Sequence, residues 1–347
     1  MRMFCAKIQE NICVNAKKAV FLQRKKLVIM TNKELYADWV KTQEMLPIFY
    51  EPWWLDAVCA GRSWDVLLVK EGEEILAALP YMLCKKWWLR WIDMPQQTQL
   101  GGLWLDGNRS YELAELQHIR DSIAEQLDAM KLAYYYQHFP AGSPCATFLV
   151  EKGFKAKERI TYRIDDVSDL DAVIDRFSKN KKRQLQKSLS LHAERDMTAE
   201  EFYQFHLNCL SGRGKRLSYS REFLLVLEQK LRKHKRCQIL SVCNADHVPY
   251  ATVLLVWDKR RVYYLMPCYN SDYSESGAGA LLVLESIKFC RELGLSFDFE
   301  GSMLSGVAKH YKQFGPTATT YYSVEKYYKW WFRFVRFFSW LKNRKYK

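Results

Sequence analysis

AGALLVLESIKFCRELG (residues 278–294) followed by LSFDFE (295–300) reads as a helix that closes on Gly294 and passes directly into a strand. Before it, CQILSVC (237–243) and YATVLLVWD (250–258) flank the turn NADH and predict a hairpin, and RVYYLMPCY (261–269) predicts a third strand. After it, GVAKHYKQFG (306–315) predicts a short helix and ATTYYSVEK (318–326) a strand. The same order stands earlier in the chain. WDVLLVK (64–70), the turn EGEE and ILAALPYML (75–83) form a hairpin, and WWLRWIDM (87–94) is a third apolar run. SYELAELQHIRDSIAEQLDAM (110–130) places Leu113, Leu116, Ile119, Ile123 and Leu127 at helical spacing. A strand at LAYYYQHF (132–139), a short helix at SPCATFLVEKG (143–153) and a strand at AKERITYRID (156–165) complete the set.

Hairpin, strand, helix, strand, short helix, strand therefore occurs twice. The expected fold class is α/β (α+β), a duplicated unit in which each copy is a mixed twisted sheet flanked by helices. The expected division is a basic, disordered leader at 1–29, a first domain at 30–166 and a second at 167–326. The second contains a basic helical segment at 167–233, and a basic aromatic helix follows at 327–347.

The chain's 347 residues suffice for two domains, and 49% hydrophobic and 15% aromatic content for real cores. Its net charge of +14 is unevenly placed. Residues 1–26 hold seven Lys/Arg and one acid, and residues 318–347 hold eight Lys/Arg and one acid, which leaves the body nearly neutral. A DNA-binding protein should carry a basic face through its folded domain, so DNA is excluded as a partner. Ten cysteines without a C-x-x-C pair read as free thiols of a reducing compartment. Seven histidines show no close ligand spacing, and no metal site is expected. The first residues lack the apolar core of a secretory signal, Met30 is an alternative start, and no apolar run approaches the roughly 18 residues of a membrane span. A cytoplasmic protein is expected.

Three stretches carry chemistry. YNSDYSESGAGALL (269–282) leads from a strand into a helix, and Gly277 and Gly279 leave backbone N–H groups uncovered there, as a phosphate seat requires. Glycine and serine before a helix are also ordinary turn chemistry. SKNKKRQLQKS (178–188) has five cations and no acid. As a helix it aligns Lys179, Arg183 and Lys187 on one face, suited to phosphates or merely to solvent. In DFEGSM (298–303), strand alternation points Asp298 and Glu300 one way and Phe299 the other. The pair can act as general base and orienter, or can cap the next helix and pair with Lys309 and Lys312.

Asn180, Arg183, Leu185 and Lys187, with Ser188 after them, form an N-x-x-R-x-L-x-K segment. Asp298, Glu300, Gly301, Ser302, Lys312, Phe314 and Gly315 form an acidic strand, a Gly-Ser loop and a lysine before Phe-Gly. In that order these motifs resemble the FemAB-like branch of the GNAT acyltransferase superfamily, which includes peptidoglycan-bridge-type acyltransferases. FYEPWWLDAV (49–58) and MPQQTQLGG (94–102) are similar to its entry and substrate-loop segments, so the resemblance covers about 30–325. The resemblance implies two tandem GNAT-like domains. It also implies an activated donor, acyl-CoA or aminoacyl-tRNA, and transfer to an amine of a cell-envelope precursor or other small or lipid-linked acceptor. The loop aligned with the pyrophosphate motif keeps Gly277 and Gly279 and has Ser274 in first position. The segment 189–235 is shorter than the coiled-coil arm of tRNA-dependent relatives.

On this reading Glu300 or Asp298 takes the amine proton, and Ser302 and Lys312 assist the carbonyl or leaving group. Arg183, Lys187, Gly277 and Gly279 hold phosphates, and Gln97, Thr98 and Gln99 read the acceptor. KYYKWWFRFVRFFSWLKNRKYK (326–347) puts Lys329, Arg333 and Arg336 on a narrow face with aromatics over the rest, as suits a helix on an anionic membrane surface or one packed on the domain. Two alternatives stand beside this reading: a plain acetyl-CoA-dependent N-acetyltransferase of a small molecule, and a catalytically silent binding module at the membrane surface.

Overall fold

The computed structural model describes residues 30–59, 61–212, 214–301 and 305–344. The leader expected at 1–29 lies outside the described residues, as does Ser302. Helix α1 (Asn32–Val40) starts at a reciprocal cap between Thr31 and Glu34, and α2 (Pro52–Val58) begins with proline, whose missing N–H costs nothing there. Strands β1 (Ser63–Glu71), β2 (Glu74–Lys86) and β3 (Leu89–Asp93) form an antiparallel meander, with β4 (Trp104–Leu105) added to β2. Then come α3 (Leu113–Ala129), β5 (Tyr134–Phe139), the short α4 (Cys145–Phe148) and β6 (Lys155–Ile164).

The middle of the chain holds α5 (Leu170–Asp175), α6 (Lys179–Lys187), β7 (His192–Glu194), α7 (Ala199–Ser211) and α8 (Arg221–Lys233). A second meander, β8 (Cys237–Cys243), β9 (Pro249–Trp257) and β10 (Arg261–Tyr269), leads into α9 (Ala278–Leu293) and β11 (Ser296–Asp298). The chain continues through α10 (Ser305–Lys312), β12 (Thr317–Tyr327) and α11 (Phe332–Arg344).

The strands join in one sheet, ordered β1-β2-β3-β5-β12-β6-β11-β10-β9-β8-β7. Its two ends repeat one plan. β3 runs parallel to β5, and β10 parallel to β11, each over only two or three residues before the strands part. What closes each half is exchanged: β12 lies against β5, β6 lies against β11, and β6 and β12 pair with each other along nine positions. The division expected at 166/167 thus separates the chain in sequence and not in space. The fold is mixed α/β with two similar halves in tandem, sharing a continuous sheet.

Helix α3 covers one face of the first half through Ile119, Ile123 and Leu127, and α9 covers the second through Leu282, Val283 and Ile287. Burial of each such side chain contributes about 1.5–3 kcal/mol. A third apolar cluster, with Trp54, Phe223, Leu227, Tyr263 and Leu265, spans both halves and packs α2 and α8 on the sheet.

Four expectations change. The segment 167–233 is not wholly helical: His192–Glu194 pairs with β8 as an edge strand. The strand expected at 295–300 stops at Asp298, because Glu300 and Gly301 both turn left-handed, at φ 61° and 65°. The strand expected at 87–94 starts at Leu89, and Trp87 lies in the preceding hairpin turn at φ 53°. The C-terminal helix begins at Phe332, since β12 continues to Tyr327 to complete its ladder with β5.

Candidate functional site

Helix α9 opens at Gly277, which takes φ 82° and has no side-chain cap. The second half of the sheet delivers this helix start to a cavity of about 320 Å³. The cavity is lined by Gly277–Ala280, by Tyr269, Tyr250 and Tyr273, and by Lys181, Gln184 and His310. Tyr250 and Tyr273 stack face to face at its margin, with centroids 3.6 Å apart. Only glycine fits at 277. A Cβ there would lie 2.0 Å from the Gln184 carbonyl oxygen, so α6 is pressed against the beginning of α9.

This contact decides which face of α6 matters. Lys181 is turned inward, 3% exposed, and its ammonium donates to Gln184 Oε1 (2.9 Å) and bonds His310 Nδ1 (3.2 Å). Burial pushes the Lys181 ammonium down to about 8. Burial and the neighbouring lysine push His310 down to about 4, so its ring is neutral. With Nδ1 accepting from Lys181, the remaining proton sits on His310 Nε2, and that atom is buried without a hydrogen-bond partner. Ser276 Oγ accepts from the Ala278 N–H (3.2 Å) and the Ala280 N–H bonds the Gly277 carbonyl oxygen (2.9 Å). The glycine-led helix start, a buried ammonium and an orphaned N–H around one cavity fit an anion, and a phosphate in particular.

The residues expected to hold phosphate are placed differently. Gly277 and Gly279 line the cavity. Arg183 and Lys187 lie on the outer face of α6, both exposed. Arg183 bonds Asn180 Oδ1 (3.1 Å) and Lys187 pairs with Glu275 (3.2 Å). Lys181 and Gln184 take their place, since the close approach at Gly277 fixes the helix rotation.

A second constellation lies where β6 meets β11. Asp298 is fully buried and accepts from Thr161 Oγ1 (2.5 Å), Arg163 Nε (2.8 Å) and the Glu300 backbone N–H (2.8 Å). Thr161 Oγ1 also accepts from Gln99 Nε2 (3.2 Å), which ties the loop 94–102 to this point. With its oxygens so engaged, Asp298 holds the strand end and the following turn. The bend at Glu300 and Gly301 sets Gly301 against β6, where a Cβ would stand 2.2 Å from the Ile160 carbonyl oxygen.

Glu300 is aimed inward. Burial, and then the charge of Asp298, raise its carboxyl well above the usual carboxylate range. Its Oε1 is buried without a partner. Tyr311 and Tyr321 are near enough to feel its charge. Next to it, Arg159 Nε donates to Tyr321 Oη (3.1 Å), and His138, pushed down to about 4 by burial and Arg159, bonds the Gln99 carbonyl oxygen (2.8 Å).

Of the loop residues, Gln97 sits in a left-handed turn at φ 53°. Thr98 is occupied within the fold, accepting from Trp54 Nε1 (3.2 Å) and donating to the Gln96 carbonyl oxygen (3.0 Å). Gln99 keeps one free atom, its buried Oε1. Lys312 is exposed, with its ammonium 6.0 Å from the Tyr162 ring centre, and does not line the cavity. Sequence reasoning missed Lys181, His310, Thr161 and Arg163. Lys181 stood inside the quoted basic run, but nothing in its spacing distinguished it from the exposed lysines.

Residues 151–313 match the family model described as the acetyltransferase (GNAT) domain. This part of the chain is therefore similar to GNAT acetyltransferase domains. No curated protein matches the sequence. Among solved structures, FemX is similar over 84% of this chain and 96% of its own, at 14% identity and a TM-score of 0.63. The C-terminal domain of a protein assigned as a lysylphosphatidylglycerol synthetase, from Agrobacterium fabrum, matches over 85% and 91% at 12% identity and a TM-score of 0.52. A tandem GNAT protein from the clavulanic acid biosynthesis pathway matches over 85% and 93% at 12% identity and a TM-score of 0.50. The fold is therefore shared with FemX and with the tandem GNAT protein.

Proposed function

We propose that the protein transfers an acyl or aminoacyl group from an activated, phosphate-bearing donor to an amine, with the donor held in the cavity at the start of α9. The observation that carries this reading is the convergence of Gly277, the buried Lys181 ammonium and the unpartnered His310 Nε2. Acyl-CoA and aminoacyl-tRNA both bring phosphate esters, and the residues present fit that shared chemistry. Bound there, the donor supplies the activated carbonyl.

Glu300 is the residue proposed to serve the amine. A cationic ammonium beside it would favour its ionised form, and the carboxylate would then accept the proton that the amine must lose. Asp298, Arg163 and Thr161 position it. Gln99 Oε1 is a free acceptor for an N–H of the incoming group.

The acceptor is proposed to be a cell-envelope or lipid-linked precursor, met at an anionic membrane surface. Helix α11 supports this. Arg336, expected with Lys329 and Arg333 on the cationic face, instead turns inward, over the Tyr134 ring at 4.2 Å and to Asp93 at 3.3 Å, and the support comes from Phe334, Phe337, Phe338 and Leu341, which are exposed. Trp87 and Trp88, 80% and 79% exposed beside Lys85 and Lys86, form another exposed aromatic tip. Among the described residues no helix is long and apolar enough to cross a membrane.

The test is a thermal-unfolding series with coenzyme A, acetyl-CoA, aminoacyl-tRNA and inorganic pyrophosphate, followed by transfer assays with the ligand that binds. A donor at 100 times its Kd should add about 2.7 kcal/mol of stability. Acetyl-CoA alone, active on soluble amines, would favour the plain N-acetyltransferase. Binding without transfer would leave a silent binding module, and no response to any of them would remove the proposal.

A further inference from the structure

At the far edge of the sheet, three ligand-type side chains meet that play no part in the cavity. His192 and Glu194 belong to β7, and strand alternation sets them on one face. His247 lies in the turn between β8 and β9. The ladder between β7 and β8 pairs His192 with Cys243 and Glu194 with Ser241, which brings β7 beside that turn. Asn244 Oδ1 fixes the turn by accepting from the backbone N–H groups of Asp246 (3.1 Å) and Val248 (2.9 Å). His247 itself takes φ 62°. As a result His192 Nε2 and His247 Nδ1 converge on one oxygen, Glu194 Oε1, at 2.7 and 2.6 Å. The rings stand perpendicular, and the three ligand atoms lie within 4.8 Å of one another.

We propose that His192, Glu194 and His247 bind a divalent cation of the zinc class, which fastens the edge strand β7 to the β8–β9 turn. Two imidazoles and a carboxylate are a donor set that zinc accepts, with water in the fourth position. Bonds of about 2.0–2.2 Å in a tetrahedron separate ligand atoms by about 3.3 Å. The two contacts need open by only about 0.6 Å, and both imidazoles are exposed side chains with room to turn. Asp196 and Asp246 add negative charge near His247. The site suits its position. A strand of three residues makes few ladder bonds, and β7 directly follows α6, the helix that carries Lys181. A clip at His192–Glu194 fixes the chain leaving that helix.

The experiment uses the full chain, stripped with a chelator, dialysed and titrated with zinc by calorimetry. A parallel cobalt titration reads the ligand field of a tetrahedral nitrogen–oxygen site. One zinc per chain is expected, with an unfolding midpoint that rises with free zinc and slower hydrogen exchange at β7. His192→Thr keeps a strand-forming residue and His247→Asn one that tolerates the left-handed turn, and each should abolish stoichiometric uptake. Should either variant be unfolded without metal, Glu194→Gln, which preserves shape, must abolish uptake instead. His118→Ala, on the exposed side of α3, should leave uptake unchanged. Absence of zinc uptake by the wild-type chain, or uptake that survives these ligand substitutions, overturns the proposal.

Discussion

The two halves place a left-handed glycine at the same point, with different residues around it. After β5 the chain reads Pro140-Ala141-Gly142-Ser143, and after β11 it reads Phe299-Glu300-Gly301-Ser302. Gly142 and Gly301 both adopt left-handed φ, 77° and 65°. Beside the first stands an alanine, and beside the second a buried carboxyl. The helix starts differ in the same sense. At α3 the Glu115 carboxylate accepts from the Glu112 N–H (2.8 Å) and pairs with Arg109, so the positive end of the helix is already answered by the protein's own acid. At α9 there is no acid in the first turn, and a glycine cap faces a lysine. One architecture therefore serves as scaffold in the first half and, on the proposed function, as a site in the second.

The largest effect separating the halves should come from Glu300→Gln. Turnover is expected to fall about 10²–10⁴-fold with donor binding retained, measured by steady-state rates and calorimetry. Rates that stay unchanged would return the two turns to equivalence. Asp298→Asn acts on the fold instead. Leaving Arg163 beside a neutral partner in a buried site should cost about 3–5 kcal/mol in denaturant unfolding.

Lys181→Met should weaken the phosphate-bearing donor by about 1.5–3 kcal/mol, while Arg183→Ala, on the outer face of the same helix, should leave it nearly unchanged. The lysine also gives a pH signature of opposite signs. Its folded value is about 8 against 10.5 for an exposed lysine. Between those values the unfolded chain keeps a proton that the folded chain has released, so stability relative to Lys181→Met rises with pH. Donor affinity falls over the same range, because the anion needs the ammonium. Parallel melting and binding series from pH 7 to 10 check both. The smallest effect belongs to the first half: Glu115→Ala should cost roughly 1 kcal/mol of stability and leave donor affinity unaltered.

Much of this was legible in the residues. Alternating apolar runs and the Leu113–Leu127 periodicity placed the repeated elements, and Gly277 and Gly279 marked the cavity. What local pattern cannot carry is non-local. The pairing of β12 with β5 depends on partners nearly two hundred positions apart, and no periodicity announces it. Glu300 and Asp298 were expected on one strand face. Close packing of Gly301 on Ile160 bends the chain, so that one acid becomes structural and the other is left unpartnered. The rotation of α6 follows from one backbone contact, between Gln184 and Gly277, which helical spacing alone does not reveal. His192, Glu194 and His247 are brought together by a ladder and a turn, and their separation in sequence hides them.

The exchanged strands also order events during synthesis. The open edge of β5, Tyr134–Phe139, finds its neighbour only when Tyr322–Tyr327 has left the ribosome. Until then the emerging chain presents an unsatisfied edge rich in tyrosine, the kind of surface on which nascent chains aggregate and chaperones act. The first half cannot mature ahead of the second. A chain released early would lack the strand that completes its opening sheet.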